Sequence, residues 1–329
     1  PKAAKVLVVA PAWVGDLVMS HTLVPGLRAR GSTVHYLATV ALAELATRLP
    51  GVEAVHAIDA RRGRLGLGER FRTGARIGPH GFDQAIILPN SFKSALPTLF
   101  AGVPVRTGFT GESRYGVLND RRALDVERLP RMVDRFAALA DVKPACPRLR
   151  ADEARRLGLL ERHGLDAGGP MVALCPGAEY GSSKRWPAER FVELARRCTA
   201  SGIAVCVLGG ERDLETASAF TGCDGVVDLV GRTSLNDVVD LLSGVDAAVT
   251  NDSGLMHVAA AVGVPVVAVF GSTTPAFTPP LSPRAVVVSR DLDCRPCHQR
   301  TCPLGHLACL TGISVDTVFD ALVDVGIAA

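Results

Sequence analysis

Two doubly wound α/β domains facing each other across a cleft is the architecture this chain predicts, on three observations. Short, near-continuous Val/Ile/Leu/Ala runs recur along the whole length and alternate with helix-like segments, as in parallel sheets covered on both faces. The length of 329 residues accommodates two domains of ordinary size. The rhythm is interrupted once, at 143–169, where Pro144 and Pro147 precede a charged helix, and this stretch reads as the seam between domains 1–150 and 151–329.

In the first half the strand-like runs are 5–10, 33–37, 52–58, 84–88 and 103–107, with helix-like segments including 17–29, 41–49 and 91–100. In the second half the strands read as 171–175, 204–208, 226–230, 247–250 and 264–270, and the helices as 188–200, 235–242 and 255–262. Ligands of such sheets bind outside the carboxyl ends of the strands, so the loops there are where chemistry is expected.

Composition narrows the class. At 48% hydrophobic and 21% charged, the chain is that of a soluble globular protein. No apolar run reaches 18 residues, so no membrane span is expected. The opening PKAAKVLVVAPAW has too short an apolar stretch for a signal peptide and meets Trp13 and Asp16, so it reads as a first buried strand and the expected location is the cytoplasm. Nine cysteines in a reducing compartment argue against a disulfide framework. Charge is uneven: residues 1–150 carry 22 Lys/Arg against 12 Asp/Glu, a balance of +10, and residues 151–329 carry −7. The basic half predicts an anionic partner. Low aromatic content and the absence of a nucleic-acid motif disfavour nucleic acid. An anionic membrane surface or phosphorylated lipid fits at least as well.

Two loops stand out. PGAEYGSSKRWP at 176–187 and TNDSGLMH at 250–257 each follow a buried strand and lead into a helix. Small residues there leave backbone N–H groups bare for a phosphate, and two such loops in one half suggest a nucleotide or nucleotide-sugar ligand. A cation at a helix start is disfavoured by the dipole unless an anion is shared, which points to Lys184, with Arg185 either joining it or bracing the domain. His257 reads as a phosphate donor or as a satisfied helix histidine, and Asp252 as a group that orients its loop. In the first half, PAWVGD at 11–16 places Asp16 at a helix start. It is either an acid stabilised by the dipole or a general base facing a bound sugar. Trp13 beside it is a packing residue or an apolar platform for the sugar.

These residues carry a resemblance. PAWVGDLVMS, LPNSFKSAL at 88–96, RTGFTGESRYGVLND at 106–120, PGAEYGSSKRWP, TNDSGLMHVAAA and FTPPLS at 277–282 run in order from residue 5 to about residue 290. The chain resembles the ADP-heptose:lipopolysaccharide heptosyltransferases, glycosyltransferase family nine with the GT-B fold, and most closely their heptosyltransferase II branch. The resemblance implies an inverting transfer of L-glycero-D-manno-heptose from ADP-heptose to a heptose already on the inner core of a Gram-negative lipopolysaccharide. It makes Asp16 the general base and Lys184 the group that stabilises the ADP leaving group. Ser182, Ser183, Arg185, Asp252, Ser253, Gly254 and His257 would line the donor pocket, with Glu211 placed to bond a ribose hydroxyl. No DxD-type metal motif stands out, and GT-B enzymes use cations and helix dipoles in its place, so no catalytic cofactor is expected.

The acceptor implied is an acidic glycolipid of the heptosyl-Kdo2-lipid A type at the inner leaflet, which would bring the protein into peripheral contact with the inner face of the inner membrane. The stretch RRGRLGLGERFRTGAR at 61–76 holds six arginines and one glutamate. Arg61, Arg62 and Arg64 would meet the acceptor, joined by Trp13, Asn90 and Lys93. The rivals are a heptosyltransferase of different acceptor position, a nucleotide-sugar epimerase on the same plan, and a non-catalytic nucleotide-sugar or lipid binder. Outside the core resemblance, Cys294, Cys297, Cys302 and Cys309 lie within 16 residues and open on a CxxC. They read as a structural zinc or iron–sulfur site, or as buried or redox-active thiols.

Overall fold

The computed structural model describes residues 4–60, 63–166 and 168–327. Its internal contacts divide the chain into two compact units, Pro1–Pro147 and Arg148–Ala329.

The first unit holds six strands: β1 (Lys5–Val9), β2 (Thr33–Thr39), β3 (Val52–Ile58), β4 (Gln84–Ile87), β5 (Val105–Phe109) and β6 (Asp120–Arg122). All pair in parallel in the order β3-β2-β1-β4-β5-β6. The second unit holds β7 (Met171–Cys175), β8 (Ala204–Val207), β9 (Val226–Asp228), β10 (Ala247–Asn251), β11 (Val266–Phe270) and β12 (Ala285–Ser289). Their order, β12-β11-β10-β7-β8-β9, repeats the same winding. Each sheet reverses direction beside its first strand, between β1 and β4 in one unit and between β7 and β10 in the other. Loops leaving the carboxyl ends diverge there and open a crevice. Central strands β7, β10 and β11 are buried along their full length, which is why β7 and β11 are apolar without alternation, and β10 departs from this only at its carboxyl end, Thr250 and Asn251.

Departures from the expected elements have local causes. Strand β5 begins at Val105, two residues late, because Pro104 has no N–H for the ladder. The helix expected at 17–29 is Val14–Ser20, a 3-10 turn His21–Leu23 and a second helix Val24–Ala29, broken where Pro25 enters the first turn. Strand β6 is Asp-Arg-Arg at a sheet edge and has no apolar run to announce it. Strand β12, also at an edge, and the helix Val315–Asp324 close the second core and were not anticipated. Among the described residues no helix is long and apolar enough to cross a membrane.

Candidate active site

In the second unit the two highlighted loops leave β7 and β10, the pair of strands at the switch point. One buried side chain ties them together. Asn251, the last residue of β10, donates from Nδ2 to the Pro176 carbonyl at 2.7 Å and accepts the Trp186 backbone N–H at Oδ1 at 3.0 Å. The carboxamide thereby holds both ends of the 176–187 loop. The far end is further pinned by the Trp186 indole, which is buried against Phe191 and donates to the Ile313 carbonyl at 3.1 Å.

The loop lies against its neighbours so closely that a side chain at Gly181 would meet backbone and one at Gly177 would have to displace the Asp213 carboxylate. A Cβ on Gly177 would sit 2.3 Å from Asp213 Cγ, and one on Gly181 would sit 2.2 Å from the Arg300 carbonyl oxygen. Asp213 in turn accepts the Gly210 N–H at 3.0 Å and fixes the loop after β8.

Lys184 Nζ stands 2.6 Å from Asp252 Oδ2 and over the Tyr180 ring at 4.9 Å. Asp252 also accepts Thr273 Oγ1 at 2.5 Å, and its own N–H donates to Val269. His257 lies one turn into the helix Gly254–Val262. Burial pushes its imidazole down to about 4, against the pull of the Asp252 carboxylate and with the help of the Lys184 cation. At neutral pH the ring is therefore uncharged and carries one N–H. Ser253, the N-cap of that helix, does not cap it with its side chain, and its Oγ is shielded from solvent without a hydrogen-bond partner among the described residues. The structure thus brings Lys184, Asp252, Ser253, Gly254 and His257 to one place: a cation, a neutral donor and a helix start.

The remaining donor-side candidates fall into two groups. Ser182 and Glu211 are exposed, Glu211 opening the 3-10 turn after β8. Ser183 faces inward. Its hydroxyl donates to the Gln299 carbonyl and accepts from Ser272 Oγ at 3.0 Å, while its N–H donates to Arg300 O at 3.1 Å. Its side chain anchors the loop to the 298–300 segment and is 1% exposed. Arg185 donates Nε to the Ala178 carbonyl at 3.1 Å and braces the loop from within. Sequence reasoning missed Asn251, Thr273 and Tyr180. Asn251 stood inside the quoted TNDSG, but only folding shows that its two amide atoms face two different loop ends.

In the first unit, Trp13 is the N-cap of the helix Val14–Ser20 and Asp16 lies in that helix's first turn, directly after β1. Asn90 and Lys93 follow β4, the other strand of that switch point. Asn90 Oδ1 accepts from Arg114 Nη2 at 3.3 Å, and the fully buried Arg114 guanidinium also donates to the carbonyls of Pro89, at 2.8 Å, and Phe109. Lys93 Nζ reaches the Arg64 carbonyl at 3.5 Å. Arg64 borders a cavity of about 110 Å³ shared with Asp59, Glu69 and Arg70. Arg61 and Arg62 lie outside the described residues.

The metal expectation at Cys294, Cys297, Cys302 and Cys309 is not supported. Among the described residues no group of three or more His, Cys, Asp or Glu side chains is placed to hold a metal ion. The four free thiols line a cavity of about 30 Å³ together with Ser183, Ser272 and His306. Cys309 is a packing group of the second core, where burial pushes its thiol up. Cys302 differs. The backbone N–H of Leu307, with those of Leu304, Gly305 and His306, holds its thiol below the ordinary value.

Two doubly wound units, with a cation and a neutral imidazole gathered at one switch point and a carboxylate at the other, describe a GT-B glycosyltransferase. The sequence profile of glycosyltransferase family 9 (heptosyltransferase) matches residues 70–308, and the chain belongs to that family. It is 40% identical over 304 residues to lipopolysaccharide heptosyltransferase 2 of Escherichia coli strain K12, covering 86% of this chain and 87% of that one. It is 37% identical over 305 residues to lipooligosaccharide heptosyltransferase 2 of Haemophilus influenzae, covering 86% and 88%. Its fold superposes on the solved structure of E. coli ADP-heptose lps heptosyltransferase II with a TM-score of 0.88 at 36% identity, covering 98% of each chain.

Proposed function

We propose that this glycosyltransferase moves L-glycero-D-manno-heptose from ADP-heptose to the first inner-core heptose of a heptosyl-Kdo2-lipid A type acceptor, with inversion. The observation that carries this reading is the Lys184–Asp252–His257 cluster at the β7/β10 switch point. An ammonium has three N–H donors. With one committed to Asp252, two remain for a diphosphate. Asp252 and the Tyr180 face hold the cation in place before the donor arrives, so little reorganisation accompanies the reaction.

In this reading the Arg148–Ala329 unit takes the donor and the Pro1–Pro147 unit takes the acceptor. The acceptor hydroxyl oxygen attacks the anomeric carbon of the heptose and Asp16 takes the hydroxyl proton. The bond from that carbon to the β-phosphate oxygen breaks, and ADP leaves with the electron pair. Negative charge then grows on the β-phosphate, where Lys184, the neutral His257 N–H and the amides at Gly254 would stabilise it. These groups need no catalytic metal to act. The Glu211 carboxylate would accept a ribose hydroxyl. Trp13, Asn90, Lys93 and the arginines Arg61, Arg62 and Arg64 would hold the acidic acceptor at the inner leaflet, in keeping with the +10 balance of residues 1–150.

The test is Asp16→Asn. The amide keeps the shape but cannot accept the proton, so turnover should fall by about 100- to 10,000-fold while ADP affinity holds. Turnover within a few-fold of wild type would reduce Asp16 to a helix-start acid.

A further inference from the structure

Three large apolar side chains crowd one exposed stretch of the first unit. Leu65 is 47% exposed, Leu67 51% and Phe71 59%. The stretch is not loose. Arg70 is buried and donates Nε to the Leu65 carbonyl at 2.6 Å, which fixes the turn before the helix Leu67–Ile77. Gly74 of that helix packs so closely on the helix Phe92–Phe100 that a Cβ there would meet Phe100 Cβ at 2.5 Å. Arg70, Thr73, Gly74 and Ile77 make up the buried face. Leu67 and Phe71, one turn apart, lie at the margin of that face and are each more than half exposed, the Phe71 ring meeting Phe100 at 5.5 Å between centroids and turning the rest of its surface outward.

Around them positive charge predominates, with Asp59 and Glu69 as the carboxylates nearby. Arg64, Arg72 and Arg76 are exposed, and the stretch 61–76 contains six arginines and one glutamate. That glutamate, Glu69, is engaged with Arg72 at 2.8 Å. A helix with outward Leu and Phe among arginines has the composition of one that lies in a membrane interface, its apolar side chains in the acyl boundary and its cations among anionic headgroups. A water-soluble face has no use for the apolar three, and a neutral protein partner has none for the arginines.

We propose that Leu65, Leu67 and Phe71, ringed by Arg64, Arg72 and Arg76, dock this unit onto an anionic lipid bilayer. The inference rests on the reading of a lipid-embedded acceptor and gives it a place on the protein. The face brings Arg64, and Lys93 bonded to its carbonyl, to the membrane surface from which the acceptor's sugars rise.

The test is sedimentation with vesicles of phosphatidylcholine alone and of phosphatidylcholine mixed with phosphatidylglycerol. The protein should pellet with the mixed vesicles, not with the neutral ones, and salt should release it. The triple variant Leu65→Gln, Leu67→Gln, Phe71→Gln should lose about tenfold or more of that affinity while still unfolding in one cooperative melting transition. Its kcat/KM on a deacylated, water-soluble acceptor should be unchanged. Undiminished binding by the triple variant, or equal binding to both vesicles, overturns the docking. A dimer that forms in solution and is lost in the variant assigns the face to a second copy and also overturns it. Failure of the wild type on the deacylated acceptor counts against the heptosyl-transfer reading, independently of the vesicle result.

Discussion

Lys184 Nζ lies 2.6 Å from Asp252 Oδ2, and both side chains are largely buried. A buried cation beside a helix start would be unfavourable alone. The carboxylate neutralises it, and the bond from Thr273 to Asp252 fixes that carboxylate in turn.

The pair makes a paired prediction. Lys184→Ala should lower kcat by about 100-fold or more, because the lost donor acts where charge develops. Asp252→Asn should lower kcat less and leave ADP affinity equal or higher, since the ammonium then faces the diphosphate without a competing charge. The double variant should be no worse than Lys184→Ala alone, because residues acting as one unit are not additive. A rise in donor KM with unchanged kcat in Lys184→Ala would make the lysine a uniform binding contact.

Asn251 yields a second prediction. Its amide bonds the two ends of the 176–187 loop, so it acts as a positioning residue. Asn251→Ala strands a buried N–H and a buried carbonyl, a cost of about 2–4 kcal/mol in stability. It should also weaken ADP binding with no change in the pH profile of turnover. Calorimetric melting and ADP titration measure both. Wild-type ADP affinity in a destabilised variant would show that the loop holds its shape without the tie.

Stability should depend on pH through the histidines. Burial holds His257 at about 4 and, with His80, His35, Arg76 and Lys5 nearby, His56 at about 4; it also lowers His35, with Lys5 and His80 acting the same way and Glu53 opposing. Each folded-state value is below the unfolded value of about 6.5, so the unfolded chain takes up protons that the folded one refuses. The contribution is complete above that unfolded value and is lost as pH falls towards 4. Urea midpoints should therefore drop from pH 7.5 to pH 5, and His56→Gln should flatten the slope. A midpoint constant over that range would contradict the burial of these rings.

The sequence made the two sheets legible because both are wound in parallel and their central strands are buried on both faces. Runs such as Met171–Cys175 and Val266–Phe270 are then apolar without interruption. Two of the four edge strands escaped, β6 and β12: Asp120–Arg122 carries no apolar pattern and is held by ladder pairing together with the bonds of Asp120 to Thr107 and of Arg122 to Asp141. In the site, Lys184 and Asp252 were visible as residues, but 68 positions of chain separate them and only the adjacency of β7 and β10 makes them a pair. Ser183 shows the opposite limit. A small residue in a phosphate-type loop reads as a ligand contact, yet its hydroxyl turns inward to Gln299 and Ser272. The CxxC spacing suggested a metal, whereas the four thiols line one small cavity and no group placed to hold a metal ion is found among the described residues.

Heptosyl transfer itself is tested most directly by incubating the purified protein with ADP-heptose and heptosyl-Kdo2-lipid A, and following ADP release together with product mass. With heptosyl transfer, ADP appears only when acceptor is present, in step with a product one heptose heavier. An acceptor lacking the first heptose should support neither. ADP released at the same rate without acceptor, or an altered donor sugar with no ADP released, would contradict heptosyl transfer.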